Sequence, residues 1–497
     1  MSRTRLGLMR MPTSAMKQKR LGSYYTPESI ARTLVRWVAR FPADRLLDPS
    51  CGDGRFIAAH PNAVGVECDV PAAIAASQRS HAAIVHVAEF FDWAKVTRDR
   101  FECAAGNPPF IRYQRFSGEA RKRAIDLCNG LGVKFSALTS SWAPFLVATA
   151  SLLRPGARMS FIVPAEIGHA PYAAALLPHF AAKFRRVQVI AIREKMFPQL
   201  SEDAWILFAE GYGESTDRVL FTTRDKFEST KSPARDGISI SLSELESRSF
   251  RLRPFLLPTS TLDLYDRVAT SNGTCRLGDL AEVGIGYVTG ANEFFHLRPS
   301  LAATASIPAR YLQPSVRTAR YLPNKVVTRA TLDEWIRADE PVLLLRVSAN
   351  ETLPAAVIRY LRSPEAIEAQ KSYKCRNRRP WYVVPDVKVP DAFLSYMSGR
   401  SPALVANAAQ CSCTNSLHAV KLTNGTSLRS LQSMWQNPLT QLSCEIEGHP
   451  LGGGMLKLEP REAARVVLPK AAMRISRAQH RAIEVGIAKM REWRHYV

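Results

Sequence analysis

At 497 residues and 46% apolar content, the chain has room for about two to three domains with substantial cores. Its 67 Lys and Arg against 44 Asp and Glu leave a net charge of +23, which favours a polyanionic partner and phosphate contact. The sequence holds no apolar run of about eighteen residues, so no membrane span is expected, and nine scattered cysteines argue for reduced thiols of the cytoplasm rather than a disulfide frame.

In chain order, residues 1–23 read as a basic arm. The first 27 residues hold six Arg or Lys and no acid, without the apolar block of a secretory signal. From 24 to 215, short apolar runs alternate with amphipathic segments, as a parallel α/β sheet requires. Strands are expected at 45–47, 63–67, 84–88, 101–105, 159–163, 186–192 and 204–209, with helices at 28–40, 71–79, 119–129, 140–153 and 172–183. The last two strands have no helix between them, which suits an antiparallel hairpin at a sheet edge. Residues 216–260, with "ESTKSPARDG" inside, read as a linker whose Lys and Arg contact the polyanionic partner. Residues 261–497 form a second, mixed or β-rich domain, closed by a helix that puts Ile483, Ile487 and Met490 on one face. Cys411, Cys413, His418, Cys444 and His449 match no ordinary zinc spacing, so no metal site is expected.

Four short stretches carry chemistry. In "LLDPSCGDGRF" a strand ends in Asp48 and runs through Pro49 and Cys51 into a turn where Gly52 and Gly54 let the backbone approach a ligand. The next strand ends in Glu67, placed to accept both hydroxyls of a ribose. The incomplete glycine pattern fits a ligand with a ribose but no pyrophosphate. In "VAEFFDW", Glu89 or Asp92 can bond an exocyclic amine while Phe90 flanks an adenine or simply fills the core. The fourth strand delivers "AGNPPFI": Asn107 offers an amide oxygen, the Pro108–Pro109 backbone a carbonyl, and Phe110 a flat face for a base. Two acceptors aimed at one aromatic amine pull its nitrogen toward a tetrahedral, nucleophilic form.

With "YYTP" (24–27), "DPSCGDGRF" (48–56), "VEC" (66–68) and "NPPF" (107–110) in this order, the chain resembles the gamma-class DNA adenine-N6 methyltransferases. The pieces "LGDLAEVGIGYVTGANEFFHL", "RRPWYVVP" and "GGGMLKLEP" resemble that family's target-recognition domain. The resemblance implies a Rossmann-like class I methyltransferase sheet, S-adenosylmethionine as cofactor and double-stranded DNA as partner, with base flipping, in a restriction–modification or phage-defence setting. It also implies that Tyr25, Thr26 and Pro27 border the methionine end of the cofactor. Asp48, Pro49, Cys51, Gly52 and Gly54 would lie near its amino-acid portion and Glu67 at its ribose. Glu89, preferred to Asp92, would meet its adenine with Phe90. Asn107, Pro108, Pro109 and Phe110 would hold the target base.

Arg112, and Arg376, Arg378 and Arg379 beside Trp381, combine charge with a stacking ring and are candidates for nucleic-acid contact. An RNA adenine or a protein glutamine is the rival substrate, and a catalytically inactive DNA-binding specificity protein the rival without chemistry. Any cleavage activity is expected from a separate restriction endonuclease or defence subunit.

Overall fold

The computed structural model describes residues 25–198, 202–423, 425–471 and 473–496. The basic arm and Tyr24 lie outside the described residues. The chain divides after Leu256 into two compact units.

The first unit runs through α1 (Glu28–Val38), β1 (Leu46–Asp48), β2 (Ala63–Glu67), α2 (Val70–Arg79), β3 (Ile84–Val87), α3 (Phe90–Val96) and β4 (Phe101–Gly106). It continues with α4 (Gly118–Gly130), α5 (Trp142–Ala150), β5 (Leu153–Pro164), α6 (Leu176–Ala181), β6 (Phe184–Ile192), β7 (Ala204–Tyr212), β8 (Arg218–Arg224) and β9 (Ile238–Ser241). The nine strands form one sheet in the order β3-β2-β1-β4-β5-β7-β6-β8-β9. From β3 to β5 all neighbours are parallel, and Leu46, Leu47, Val64 and Val66 are buried, as strands covered on both faces must be. Every residue of α5 is buried, so it is a core helix with no solvent face. Sequence order reverses between β1 and β4, which leaves a crevice outside their carboxyl ends.

The hairpin expected at the edge is instead interior. β7 pairs antiparallel with both β5 and β6, and β8 and β9 extend the sheet beyond β6. The stretch 216–260 is therefore not a linker. Val219 and Phe221 of β8 are buried in the sheet, and "ESTKSPARDG" is the loop before β9. That loop is tied to α1: Thr33 Oγ1 meets Ser229 Oγ at 2.7 Å and Trp37 Nε1 donates to the Thr230 carbonyl at 3.1 Å.

The second unit begins at Leu257 and is mixed and rich in short strands. One sheet orders Ala281–Ile285, Leu417–Leu422, Ala392–Ser395, Leu404–Asn407 and Val326–Val327. Another orders His296–Leu297, Leu343–Leu345, Leu312–Val316 and Ser412–Cys413. Ser476 caps a closing helix, Arg477–Trp493, whose buried side carries Ile483, Ile487, Met490 and Trp493. Among the described residues no helix is long and apolar enough to cross a membrane, and no group of three or more His, Cys, Asp or Glu is arranged to hold a metal ion.

Candidate active site

At the carboxyl ends of the first four strands lies a cavity of about 310 Å³. Asp48 closes β1, Glu67 closes β2, Glu89 follows β3 and Asn107 follows β4, and all four line it. Tyr25, Thr26, Pro49, Cys51, Gly52, Phe90 and Pro109 also line it.

Asp48 is 1% exposed. One carboxylate oxygen accepts from the Ser50 N–H at 3.1 Å, while Oδ2 is buried without a hydrogen-bond partner. Burial, with the nearby charges of Glu67 and Asp53, pushes its carboxyl up to about 8. The close neighbour of Asp48 is Gly106, where a Cβ would come within 2.8 Å of Asp48 Oδ1 and 3.1 Å of Phe161. A larger residue at 106 would drive β4 away from β1.

Glu67 is held by two backbone donors, Gly52 N–H at 2.9 Å and Asp69 N–H at 2.8 Å. Gly52 makes that approach with a φ of +53°, in the left-handed region. Gly54 is different. It does not line the cavity, and a Cβ there would meet the Ala76 backbone at 2.8 Å, so its role is to let the loop pack on α2. Pro27 also stands outside the cavity: its carbonyl accepts the first N–H groups of α1, from Ile30 and Ala31.

Glu89 caps α3 by accepting from the Asp92 N–H at 3.0 Å, and burial raises its carboxyl above the ordinary range. Asp92 is exposed, lies outside the cavity and pairs with Arg123 at 3.1 Å. Of the two acids, only Glu89 faces the hollow. Phe90 fills the core, 3% exposed and stacked on Phe145 at 5.1 Å, and also lines the cavity.

The Asn-Pro-Pro-Phe loop is fixed from two sides. Asn107 Nδ2 donates to Thr26 Oγ1 at 3.2 Å. Thr26 is in turn held by Arg55, whose Nη1 donates to the Thr26 carbonyl at 2.9 Å while its guanidinium sits over the Tyr25 ring. On the other side Ser141 donates to the Pro109 carbonyl and accepts from the Ile111 N–H at 3.0 Å. Pro108 is buried and does not line the cavity. Phe110 packs half-buried against the core and lines a second, small hollow with Arg112, Ser140, Trp142, Pro164, Glu166 and Glu202. Arg112 is exposed and paired with Glu202 at 2.5 Å.

In the second unit the basic cluster separates. Arg376 and Arg379 are exposed. Arg378 is half-buried and donates to the Val288 and Thr289 carbonyls, so it braces that loop. Trp381 is half-buried and packs on Phe294 at 5.5 Å and Phe295 at 6.1 Å, against the edge of a core cluster. Ser141 and Phe145 are site residues outside every motif, while Gly106 and Arg55 lie inside quoted stretches that gave them no role of their own.

Residues 251–494 match the family described as the C-terminal domain of the Type II methyltransferase M.Eco57I, and residues 7–69 match the N-6 DNA Methylase family. The Type II methyltransferase M.XamI of Xanthomonas campestris pv. amaranthicola is 26% identical over 90% of this chain and 85% of its own. The Type II methyltransferase M.AccI of Acinetobacter calcoaceticus is 20% identical over 90% of this chain and 84% of its own. Among solved structures, the Type IIL restriction–modification enzyme MmeI in complex with DNA has a TM-score of 0.51 at 12% identity, covering 91% of this chain and 64% of that one. The last likeness is one of fold.

Proposed function

Because the chain belongs to the gamma class of adenine-N6 DNA methyltransferases, we propose that the cavity of its first unit takes S-adenosylmethionine and that Asn107, Pro108 and Phe110 hold the target adenine beside it. The sheet is that of the class I methyltransferases. The residues present suit such a cofactor. Asp48 Oδ2 is a buried acceptor with no partner, which an ammonium group would satisfy. Glu67, anchored by two N–H groups, keeps lone pairs for a ribose diol, and Glu89 can accept from an exocyclic amine beside Phe90.

When bound, S-adenosylmethionine supplies a methyl group on a positively charged sulfur. The chain's own residues do the rest by positioning. The Asn107 amide oxygen and the Pro108 carbonyl accept the two hydrogens of the adenine N6. That draws its lone pair out of conjugation and toward the methyl donor. Phe110 gives the base a flat partner on one face. A cavity sunk at the strand ends cannot reach an amine inside a stacked duplex, so the adenine must be extruded, at a cost of a few kcal/mol. The second unit reads the sequence around it, with Arg376 and Arg379 available for phosphate.

The observation that carries this reading is that Asn107 lines the same cavity as Asp48 and Glu67. The test is to express the chain alone, map methylated bases in the host DNA, and compare labelled-methyl transfer to DNA, RNA and protein. N6-methyladenine at one short sequence in DNA is expected. Label in RNA or protein but not DNA would overturn it.

A further inference from the structure

We propose that Ser141, which no motif marks, is a positioning residue that sets the Pro-Pro-Phe loop for methyl transfer; the proposal rests on the reading above. Pro108 and Pro109 carry no N–H, so this part of the loop has carbonyls but few donors with which to hold itself. Ser141 supplies what is missing from across the site. Its Oγ donates to the Pro109 carbonyl and accepts from the Ile111 N–H at 3.0 Å, and its own N–H donates to the Ile111 carbonyl at 3.0 Å. These bonds bracket Phe110, fixing the peptide planes on both sides of the residue that presents the ring.

The hydroxyl has an obvious alternative. Ser141 stands at the N-cap of α5, where serine ordinarily accepts from the first helical N–H groups, yet it makes no such bond. It is 1% exposed, so water does not replace the partners it serves. With the Pro109 carbonyl engaged from this side, the Pro108 carbonyl is the one assigned to the target amine. A loop loosened by about 1 Å would lose rate on the order of a hundredfold, with little change at the cofactor carboxylates.

The test compares wild type and Ser141→Ala as full chains on unmethylated plasmid DNA with labelled S-adenosylmethionine. We expect kcat to fall about 10- to 100-fold while KM for the cofactor stays within about threefold. Ser141→Thr, which keeps the hydroxyl, is expected to recover most of the rate. Wild-type-like kcat in Ser141→Ala, or a raised cofactor KM with kcat unchanged, overturns the proposal. If Ser141→Ala does not fold, Ser141→Cys keeps the volume with a poor donor and acceptor and decides by the same two readouts. Absence of methyl transfer to DNA by the wild type would instead sink the underlying reading, so the two failures are distinct.

Discussion

The Asn107 side chain donates from Nδ2 to Thr26 Oγ1 at 3.2 Å, across 81 positions of sequence. The two ends of a primary amide have nearly the same shape but opposite hydrogen-bonding sense, so an acceptor on one side decides which end faces the other way. Thr26 is 3% exposed and Arg55 holds its carbonyl, so that acceptor does not move. Thr26→Val should keep the shape, remove the acceptor and let the amide turn. We expect single-turnover methyl transfer to slow by about 10- to 100-fold, with Thr26→Ser close to wild type. Equal rates in the valine and serine variants would show that the hydroxyl does not orient the amide.

Asn107→Ala goes further, since it removes the acceptor itself. Turnover should fall by about a thousandfold or more. Cofactor affinity, measured by calorimetric titration, should stay within about threefold, because Asp48, Glu67 and Glu89 are untouched. Near-normal turnover would remove Asn107 from the chemistry.

Asp48 makes the site sensitive to pH. Its carboxyl is pushed up to about 8, mainly by burial and then by Glu67 and Asp53. A raised folded-state value means that its contribution to stability is full below the unfolded value near 4 and is lost as pH rises through about 8. Asp48→Asn escapes that loss, so its melting temperature should exceed that of wild type by on the order of 10 °C at pH 9 and match it at pH 4. Cofactor binding should show the opposite dependence. A cationic group brought to Asp48 favours the ionised form, so wild-type affinity should rise between about pH 6 and 8 with proton release, then level off. Titration in two buffers of different ionisation enthalpy measures the release. A flat profile for wild type would remove Asp48 from cofactor binding.

What could be read in the sequence divides along physical lines. Strands β1, β2 and β4 were legible because parallel strands covered on both faces are continuous apolar runs; β1 ends in Asp48, β2 ends in Glu67, and β4 runs directly into Asn107. β8 was not, because its buried positions, Val219, Phe221 and Thr222, stand among Arg218, Thr223 and Arg224, which keep the stretch polar. α3 was missed since its cap, Glu89, and its first residues, Phe90 and Phe91, also read as the end of a strand. In the site, the acids at strand ends were marked by their motifs. Ser141 and Gly106 were not, because their importance lies in what comes beside them: the Pro109 carbonyl for one and Asp48 for the other. A serine in "TSSWAPF" carries no local sign of that.

The basic cluster of the second unit gives the last prediction, because burial splits residues that composition groups together. Trp381→Ala should leave a cavity against Phe294 and Phe295 and cost about 3 kcal/mol of stability, read as a lowered melting temperature. Arg378→Ala should also destabilise, by about 1–3 kcal/mol, since the carbonyls of Val288 and Thr289 lose their donor. Arg376→Ala and Arg379→Ala should leave melting nearly unchanged and weaken DNA binding across sequences. The slope of log affinity against log salt should fall by about one for each phosphate that no longer meets a cation. Affinity measured at several salt concentrations separates the classes. An unchanged salt slope in the Arg376→Ala/Arg379→Ala double variant would mean that this exposed pair does not meet the DNA backbone, and that other cations on the chain must hold the phosphates.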